Sequence, residues 1–283
     1  MDIRWHPKRV TWNLEKLMRV VGSLMAHPSD VRKLFSHLVS EGSRFAANLW
    51  RCHSPIPFRD LEELFPGISQ YPIPLNGVLD DYLIAAIASY FKVKVAFEFG
   101  TAQGITTLRV AEAMNAGEGG MVITVDLPLD TNPALLEASW INATTITKAP
   151  GEVLKTKSLE KTTIRQVLCD SRLLDISEFS GKVDLVYIDG GHDYEVVKND
   201  SEKAFQLLNP AGPRIVLWHD YTPGHFGVVF YLNELYKEKP LIRICKTPWV
   251  IWSPCIPQNL KSKGTPRDQG DDLTEVSPIF SEK

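Results

Sequence analysis

Short apolar runs alternate with amphipathic stretches through the middle of this 283-residue chain, and this alternation constrains the fold more than any other feature. The runs have the length and β-branched content of buried strands, whereas the stretches between them have helical periodicity. Strands separated by helices form a parallel sheet that is covered on both faces and joined by right-handed crossovers. The predicted strands are 93–99, 121–127, 163–168, 183–189 and 214–219, and the predicted helices are 104–115, 131–139, 194–208 and 225–238.

The end of this segment departs from the alternating pattern. Two further apolar runs, 241–246 and 249–253, have only Thr247 and Pro248 between them. Such a short connection leaves no room for a crossover helix, so the two strands should pair antiparallel. The predicted fold is therefore α/β: a Rossmann-like doubly wound sheet, mostly parallel with a C-terminal antiparallel hairpin, plus an N-terminal helical extension. A plain dinucleotide-binding fold would place another helix where this hairpin lies.

The sequence divides into three parts. Residues 1–75 show helical periodicity and then a run of prolines, which predicts a helical N-terminal extension or lid. Residues 76–257 contain the alternating pattern and form the α/β domain. Residues 258–283 are rich in Lys, Asp, Pro, Gly and Ser, which predicts a flexible tail.

Composition excludes several classes of protein. The formal net charge is -3 and no long basic block occurs, so a nucleic-acid partner is not expected. No apolar run approaches the roughly 20 residues of a membrane span, and the charged N-terminus does not resemble a secretory signal. The four cysteines are widely spaced and form no CxxC pair, which is typical of reduced residues in a cytoplasmic protein.

A glycine-rich turn directly follows the first strand of the alternating segment. It contains Glu98, Gly100, Thr101 and Gly104 in the spacing E-x-G-x-x-x-G. Gly100 permits a tight turn, and Gly104 would let a ligand approach the backbone at the start of a helix. A carboxylate at this strand end lies in the crevice where open α/β sheets bind ligands. The structural alternative is an ordinary strand–helix turn with no ligand. The spacing also differs from the G-x-G-x-x-G of pyrophosphate binders.

Acidic residues also follow the second and third strands. Asp126 could accept both hydroxyls of a ribose, as in nucleotide-binding Rossmann units. Asp170 could accept an adenine amino group, with Ser171 or Arg172 closing the edge of the base. Helix capping is the structural alternative for each carboxylate. Three acidic strand ends in succession nevertheless suit S-adenosylmethionine (SAM), a nucleoside with a positive sulfonium and an amino-acid end, and Glu98 would reach its amino group through water.

Carboxylates and imidazoles follow the fourth and fifth strands. Asp189, His219 and Asp220 offer oxygen and nitrogen ligands for one divalent cation such as Mg²⁺. Asp189 is also predicted to take part in catalysis and in binding SAM. Such an ion would lower the pKa of a substrate hydroxyl. His192 is placed to act as a general base, oriented by Asp193 or Asp200. A capping pair at 219–220 and a structural histidine at 192 are the alternatives.

These residues carry a family resemblance. The segments IDGGHDYEVVKND and IVLWHDY, within residues 90–222, resemble class I SAM-dependent methyltransferases of the methyltransferase domain 24 type, which are related to catechol and macrocin-type O-methyltransferases. The resemblance implies a SAM site and, in relatives with metal, an Asp after the fourth strand and an acidic pair after the fifth. His219 stands where an acidic ligand is frequent. The resemblance also implies that the N-terminal helices form part of the acceptor pocket or a dimer contact.

The predicted function is O-methyl transfer from SAM to a hydroxyl of a small molecule, with a divalent cation and a homodimer as further expectations. Two alternatives stay open at this point: a metal-independent O- or N-methyltransferase using His192 as base, and a non-catalytic SAM-binding module. An NAD-dependent oxidoreductase is disfavoured by the missing G-x-G-x-x-G and by the closing hairpin.

Overall fold

The computed structural model describes residues 56–71, 79–128, 150–222, 225–245 and 247–256. Within these ranges the chain forms one eight-stranded sheet with helices on both faces. The predicted helix at 131–139, the tail and most of the N-terminal extension lie outside the described residues. The strands are β1 (Phe58–Arg59), β2 (Val95–Phe99), β3 (Gly120–Asp126), β4 (Thr162–Leu168), β5 (Leu185–Ile188), β6 (Ile215–Trp218), β7 (Ile242–Ile244) and β8 (Val250–Trp252).

Five helices accompany the sheet in the described ranges, and three of them were predicted within a few residues. The helices are α1 (Leu61–Leu64), α2 (Leu79–Tyr90), α3 (Ile105–Ala116), α4 (Tyr194–Leu207) and α5 (Phe226–Leu235), with 3-10 turns at Ile68–Gln70 and Glu152–Thr156. The pattern analysis did not predict α1 or α2. None of the described helices is long and apolar enough to cross a membrane.

The strands are ordered β1-β7-β8-β6-β5-β2-β3-β4. From β4 to β6 every neighbouring pair is parallel, as predicted. The predicted antiparallel hairpin is confirmed: β8 pairs antiparallel with β7 and also with β6. The hairpin thus returns into the sheet, and β8 separates β6 from β7. At the far edge β1 pairs parallel with β7, so two residues of the predicted N-terminal extension belong to the sheet.

Burial on both faces explains the continuous apolar runs in the central strands. In β5, Val186 and Ile188 pack in one core layer with α4 and α5, while Leu185 and Tyr187 pack in the opposite layer with α2 and α3. All four side chains are buried. A strand covered on both faces has no polar side to alternate with.

This architecture also places the predicted functional residues. The carboxyl ends of β2 to β6 lie along one edge because these strands are parallel. Ligands of open α/β sheets bind in the crevice outside that edge. The loops after β2, β3, β4, β5 and β6 therefore bring their polar residues to one side of the molecule.

Candidate active site at the carboxyl edge of the sheet

The loop between β2 and α3 lies directly against the end of β5. Gly100 has a φ of +98°, and a Cβ atom there would lie 2.1 Å from the carbonyl oxygen of Asp189. The backbone N–H of Asp189 donates to the carbonyl of Phe99 at 2.8 Å. Glycine is thus required at position 100 both by its conformation and by this contact, which joins the first loop to the fourth.

Gly104 lies against the 3-10 turn Glu152–Thr156. It precedes α3 with a φ of +88°, and a Cβ atom there would lie 2.8 Å from the side chain of Leu154. Packing of the loop on the 3-10 turn Glu152–Thr156 therefore requires a glycine whether or not a ligand approaches. The prediction that Gly104 makes room for a ligand stays a prediction.

Glu98 is almost completely buried, with 1% of its surface exposed. Its carboxyl group accepts hydrogen bonds from the hydroxyls of Thr107 and Thr124, and the hydroxyl of Thr124 also bonds that of Thr101 at 2.6 Å. Burial raises the pKa of Glu98 to about 8 despite these hydrogen bonds. Glu98 and Thr101 therefore tie the glycine loop and α3 to β3, and their predicted contact with the cofactor stays a prediction.

Asp126, at the end of β3, closes the same loop from the other side. One carboxylate oxygen accepts the backbone N–H of Ala102 at 2.7 Å, and the other accepts that of Leu127 at 2.7 Å. Burial raises the pKa of Asp126 in spite of these two bonds. Both N–H groups belong to loop residues and not to a described helix, and a carboxylate oxygen has a second lone pair with which to accept a ribose hydroxyl.

The loop after β4 is held by charged residues on two sides. Asp170 makes a bidentate contact with the guanidinium of Arg172, whose hydrogen bonds hold the pKa of Asp170 below its usual value. Beneath the loop, the ammonium of Lys203 donates to the carbonyls of Ser171, Arg172 and Leu174. Lys203 lies on the polar side of α4, and nothing in its position in the sequence predicted that it binds a loop from another part of the chain.

Asp200 also belongs to this loop. It is buried, and its carboxylate bonds the side chains of Ser171 and Asn199. Burial raises the pKa of Asp200 to about 6. The suggestion that Asp200 orients His192 is therefore wrong, because its partners lie in the loop after β4.

The ends of β5 and β6 bring Asp189, His219 and Asp220 together, as the sequence predicted. The Nδ1 atom of His219 lies 3.0 Å from a carboxylate oxygen of Asp189 and 3.2 Å from one of Asp220. One ligand atom from each of the three residues lies within 4.8 Å of the others. The ring of Trp249, on the hairpin, lies 4.4 Å from that of His219 and forms the floor of this cluster.

His192 contacts Asp220 instead of Asp193 or Asp200. Its Nε2 atom lies 2.8 Å from Oδ2 of Asp220. Burial lowers the pKa of His192, but the hydrogen bond and charge of Asp220 outweigh it, so the net shift is upward. Burial raises the pKa of Asp220, yet His192 and His219 lower it far more, and its carboxylate stays ionised. The orienting residue was missed because it lies in another loop, across the gap between β5 and β6.

His225 is a third imidazole at the same carboxylate, and the sequence analysis did not select it. Its Nδ1 atom lies 3.4 Å from Oδ1 of Asp220, and its ring centroid lies 4.3 Å from that of His192. His192, Asp220 and His225 form a second group whose potential ligand atoms lie within 4.8 Å of one another. The signal was a histidine five residues beyond Asp220, directly after Pro223 and Gly224 in the sequence.

The donor set after β5 and β6 fits a divalent cation. Two ligand atoms each about 2.1 Å from one ion are about 3.0 Å apart at right angles and about 3.4 Å apart at a tetrahedral angle. The distances of 3.0 and 3.2 Å from His219 to the two carboxylates fall in that range. Two of the three separations among Asp189, His219 and Asp220 therefore suit ligands of one ion, and the ligand atoms of the third pair lie within 4.8 Å of each other.

Comparison with known proteins finds one matching family. The model of a family described as a methyltransferase domain matches residues 97–221, which is under half of the chain. No curated protein matches the sequence.

Several solved structures are similar at low identity. The SAH-bound methyltransferase PaMTH1 from Podospora anserina is 14% identical, with a TM-score of 0.43 over 75% of this chain and 94% of its own. An O-methyltransferase from Bacillus cereus in complex with SAH is 15% identical, with a TM-score of 0.39 over 68% and 89%. The O-methyltransferase TomG from Streptomyces achromogenes, in complex with SAM, is 14% identical, with a TM-score of 0.37 over 70% and 92%.

The matched segment contains the loop with Gly100 and Gly104, the acidic residues that end or follow β3 and β4, and Asp189, His192, His219 and Asp220 after β5 and β6. The chain therefore contains a methyltransferase-like domain at residues 97–221.

Proposed function

We propose that this protein transfers the methyl group of SAM to a hydroxyl oxygen of a small molecule, with a divalent cation at Asp189, His219 and Asp220. The observation that carries the proposal is the His192–Asp220 pair beside the three potential ligands. A base and a cation site next to each other suit an acceptor that must lose a proton as it is methylated.

The cofactor would lie across the loops after β2, β3 and β4. Asp126 would accept the ribose hydroxyls, while Asp170 and Ser171 would bind the edge of the adenine. Gly100 and Thr101 would shape the turn beneath the methionine end, and Asp189 would face the sulfonium side of the crevice. The contact of Gly100 with the carbonyl of Asp189 supports this arrangement, because it fixes the cofactor loop relative to the reaction edge.

The chemistry is a direct displacement. A lone pair of the acceptor oxygen forms the new C–O bond, the C–S bond breaks, its electron pair stays on sulfur, and S-adenosylhomocysteine leaves. A bound cation would lower the pKa of the acceptor hydroxyl. Positioning the oxygen behind the methyl carbon supplies a large part of the rate.

The proton would go to Nδ1 of His192. The Nε2 atom bonds Asp220 at 2.8 Å, which in the neutral ring leaves Nδ1 as the unprotonated nitrogen. Nδ1 is buried and has no hydrogen-bond partner among the described residues. The ionised Asp220 stabilises the imidazolium that forms. Because the pKa of His192 is raised, the transfer rate should increase with pH as this residue loses its proton.

A metal-independent O- or N-methyltransferase is the second candidate. One observation favours it: the pair His192–Asp220 is complete without an ion. Three further expectations remain predictions: that the cation is Mg²⁺, that the protein is cytoplasmic and that it forms a homodimer.

The test combines calorimetry with an acceptor screen. Purified protein is titrated with SAM and S-adenosylhomocysteine, and methyl-labelled SAM is then incubated with phenols, catechols and sugar hydroxyls before and after treatment with EDTA. The proposal requires SAM binding and labelling of a hydroxyl that EDTA abolishes and Mg²⁺ restores. Transfer that resists exhaustive EDTA would select the metal-independent candidate, and absence of SAM binding by folded protein would overturn both.

A further inference from the structure

Asp220 belongs to two groups of potential ligands. On one side it joins Asp189 and His219, the group of the proposed function, and on the other it joins His192 and His225. The second group uses both carboxylate oxygens: Oδ2 lies 2.8 Å from Nε2 of His192, and Oδ1 lies 3.4 Å from Nδ1 of His225. The separation of 3.4 Å is the one expected between two atoms that share one ion at about 2.1 Å in tetrahedral geometry, and the hydrogen-bond distance of 2.8 Å would lengthen slightly when an ion replaces the proton.

The two groups differ in ligand chemistry. The first offers two carboxylates and one imidazole, which suits a hard cation such as Mg²⁺. The second offers one carboxylate and two imidazoles, and imidazole nitrogen favours Zn²⁺, Co²⁺, Ni²⁺ and related ions over Mg²⁺.

Packing has already brought the second group together. The rings of His192 and His225 lie 4.3 Å apart at an interplanar angle of 36°, and side-chain exposure is only 18% and 23%. Loops after two different strands are therefore arranged so that two imidazoles face one carboxylate. Because these side chains are already held in place, binding of an ion would cost little further side-chain entropy.

We infer that His192, Asp220 and His225 form a second cation site, selective for borderline transition-metal ions such as Zn²⁺ and Co²⁺. The ion replaces the proton shared between His192 and Asp220. Its effect on catalysis rests on the proposed function: an imidazole that binds a cation is a weaker base, so an ion in this site slows methyl transfer. Because Asp220 belongs to both groups, an ion in one group affects the binding of an ion in the other.

The test is a titration with Co²⁺, whose visible absorption reports imidazole coordination, in the presence of excess Mg²⁺. Binding is measured by equilibrium dialysis on the full chain and on the variants His225→Asn, Asp189→Asn and Asp220→Asn. Cys255→Ser serves as the control, because Cys255 is an exposed thiol that could bind Co²⁺ adventitiously.

We expect one Co²⁺ per chain in the wild type, in Asp189→Asn and in Cys255→Ser. Affinity should fall at least tenfold in His225→Asn and in Asp220→Asn. Equal affinity of His225→Asn and wild type, a loss confined to Asp189→Asn or to Cys255→Ser, or no binding at all would each overturn the inference.

Calorimetry with S-adenosylhomocysteine on the same samples separates this inference from the proposed function. If the nucleoside binds and Co²⁺ does not, the second site alone is wrong. If Co²⁺ binds as expected and the nucleoside does not, the proposed function fails while the metal site stands. Zn²⁺ added to an active preparation should slow transfer in the wild type, and this inhibition should weaken at least tenfold in His225→Asn.

Discussion

The two halves of the carboxyl edge satisfy their carboxylates in different ways. After β3 and β4, Asp126 and Asp170 bond donors that keep their protons: Asp126 accepts the backbone N–H groups of Ala102 and Leu127, and Asp170 pairs with the guanidinium of Arg172. After β5 and β6, Asp189 and Asp220 contact imidazoles, and the pairs Asp189–His219 and His192–Asp220 each join separate loops.

This difference distinguishes carboxylates that hold the shape of a binding surface from carboxylates that can take part in proton transfer or cation binding. A carboxylate that bonds a backbone N–H or a guanidinium fixes a surface on which a nucleoside can lie. A carboxylate paired with an imidazole belongs to a cluster whose charge and protons can move when substrate or cation arrives. We therefore propose that the first half of the edge binds the cofactor and that the second half carries the reaction.

The largest effect is expected from Asp220→Asn. The variant loses the partner of His192 and a ligand in both groups, and Asn tolerates the positive φ of 58° at this position. We expect kcat to fall about 100-fold or more, in line with the contribution of a positioned base. The matched variant Asp170→Asn should instead weaken SAM binding about tenfold, as for loss of one hydrogen bond to a charged group, with a smaller change in kcat. Equal losses of kcat would erase the distinction between the two halves.

Gly100→Ala tests the contact that joins the halves. Its methyl group would meet the carbonyl of Asp189, whereas a methyl group on Gly181, also at positive φ, would have no atom within 4 Å. Gly181→Ala should cost about 1 kcal/mol through its backbone alone, and Gly100→Ala about 3 kcal/mol because the clash is added. Denaturant unfolding of both proteins measures the difference. Similar values would mean that the close approach contributes little.

Glu98→Gln tests whether the buried carboxyl is neutral. The folded chain keeps the proton up to about pH 8, while the unfolded chain loses it near the ordinary value of 4.5. Between these values the folded state binds more protons, so its free energy of unfolding falls as pH rises, by at most about 1.4 kcal/mol per pH unit, and levels off above pH 8. Gln carries no proton to lose, so unfolding of the variant from pH 5 to 8 should show a flatter slope. A parallel pH dependence in wild type and variant would show that Glu98 is ionised in the fold.

Lys203→Met should have the smallest effect. The variant removes the ammonium that binds three carbonyls of the loop 171–174 but keeps the aliphatic stem. We expect the Kd for SAM to rise about fivefold, equivalent to about 1 kcal/mol, with little change in kcat. Lys198→Met on the exposed side of α4 is the control, and calorimetry is the measurement. A loss of kcat without a change in Kd would place this loop in the chemistry instead.

The sequence predicted the sheet well because its main signal is burial on both faces, visible as continuous apolar runs such as 183–189. It also predicted that Asp189, His219 and Asp220 meet, because parallel strands end at one edge. It did not predict α2, whose segment was left without an assignment.

Contacts between loops were beyond the sequence for a physical reason. The choice of Asp220 over Asp193 or Asp200 as partner of His192 depends on the distance between two strand ends, which periodicity does not encode. The same holds for Lys203 beneath the loop after β4. His225 was missed because no sequence pattern predicts that a histidine five residues beyond Asp220 contacts its side chain.

The position of β8 between β6 and β7 affects how the protein is made. Trp249, whose ring packs on that of His219, and the carbonyl of Pro248 that accepts the N–H of Tyr221 at 3.0 Å both come from this late part of the chain. A nascent polypeptide that has been synthesised as far as residue 222 already contains Asp189, His219 and Asp220, yet it lacks the segment that packs against them. During synthesis from the N-terminus, these three residues therefore acquire that packing only after residue 249 has left the ribosome.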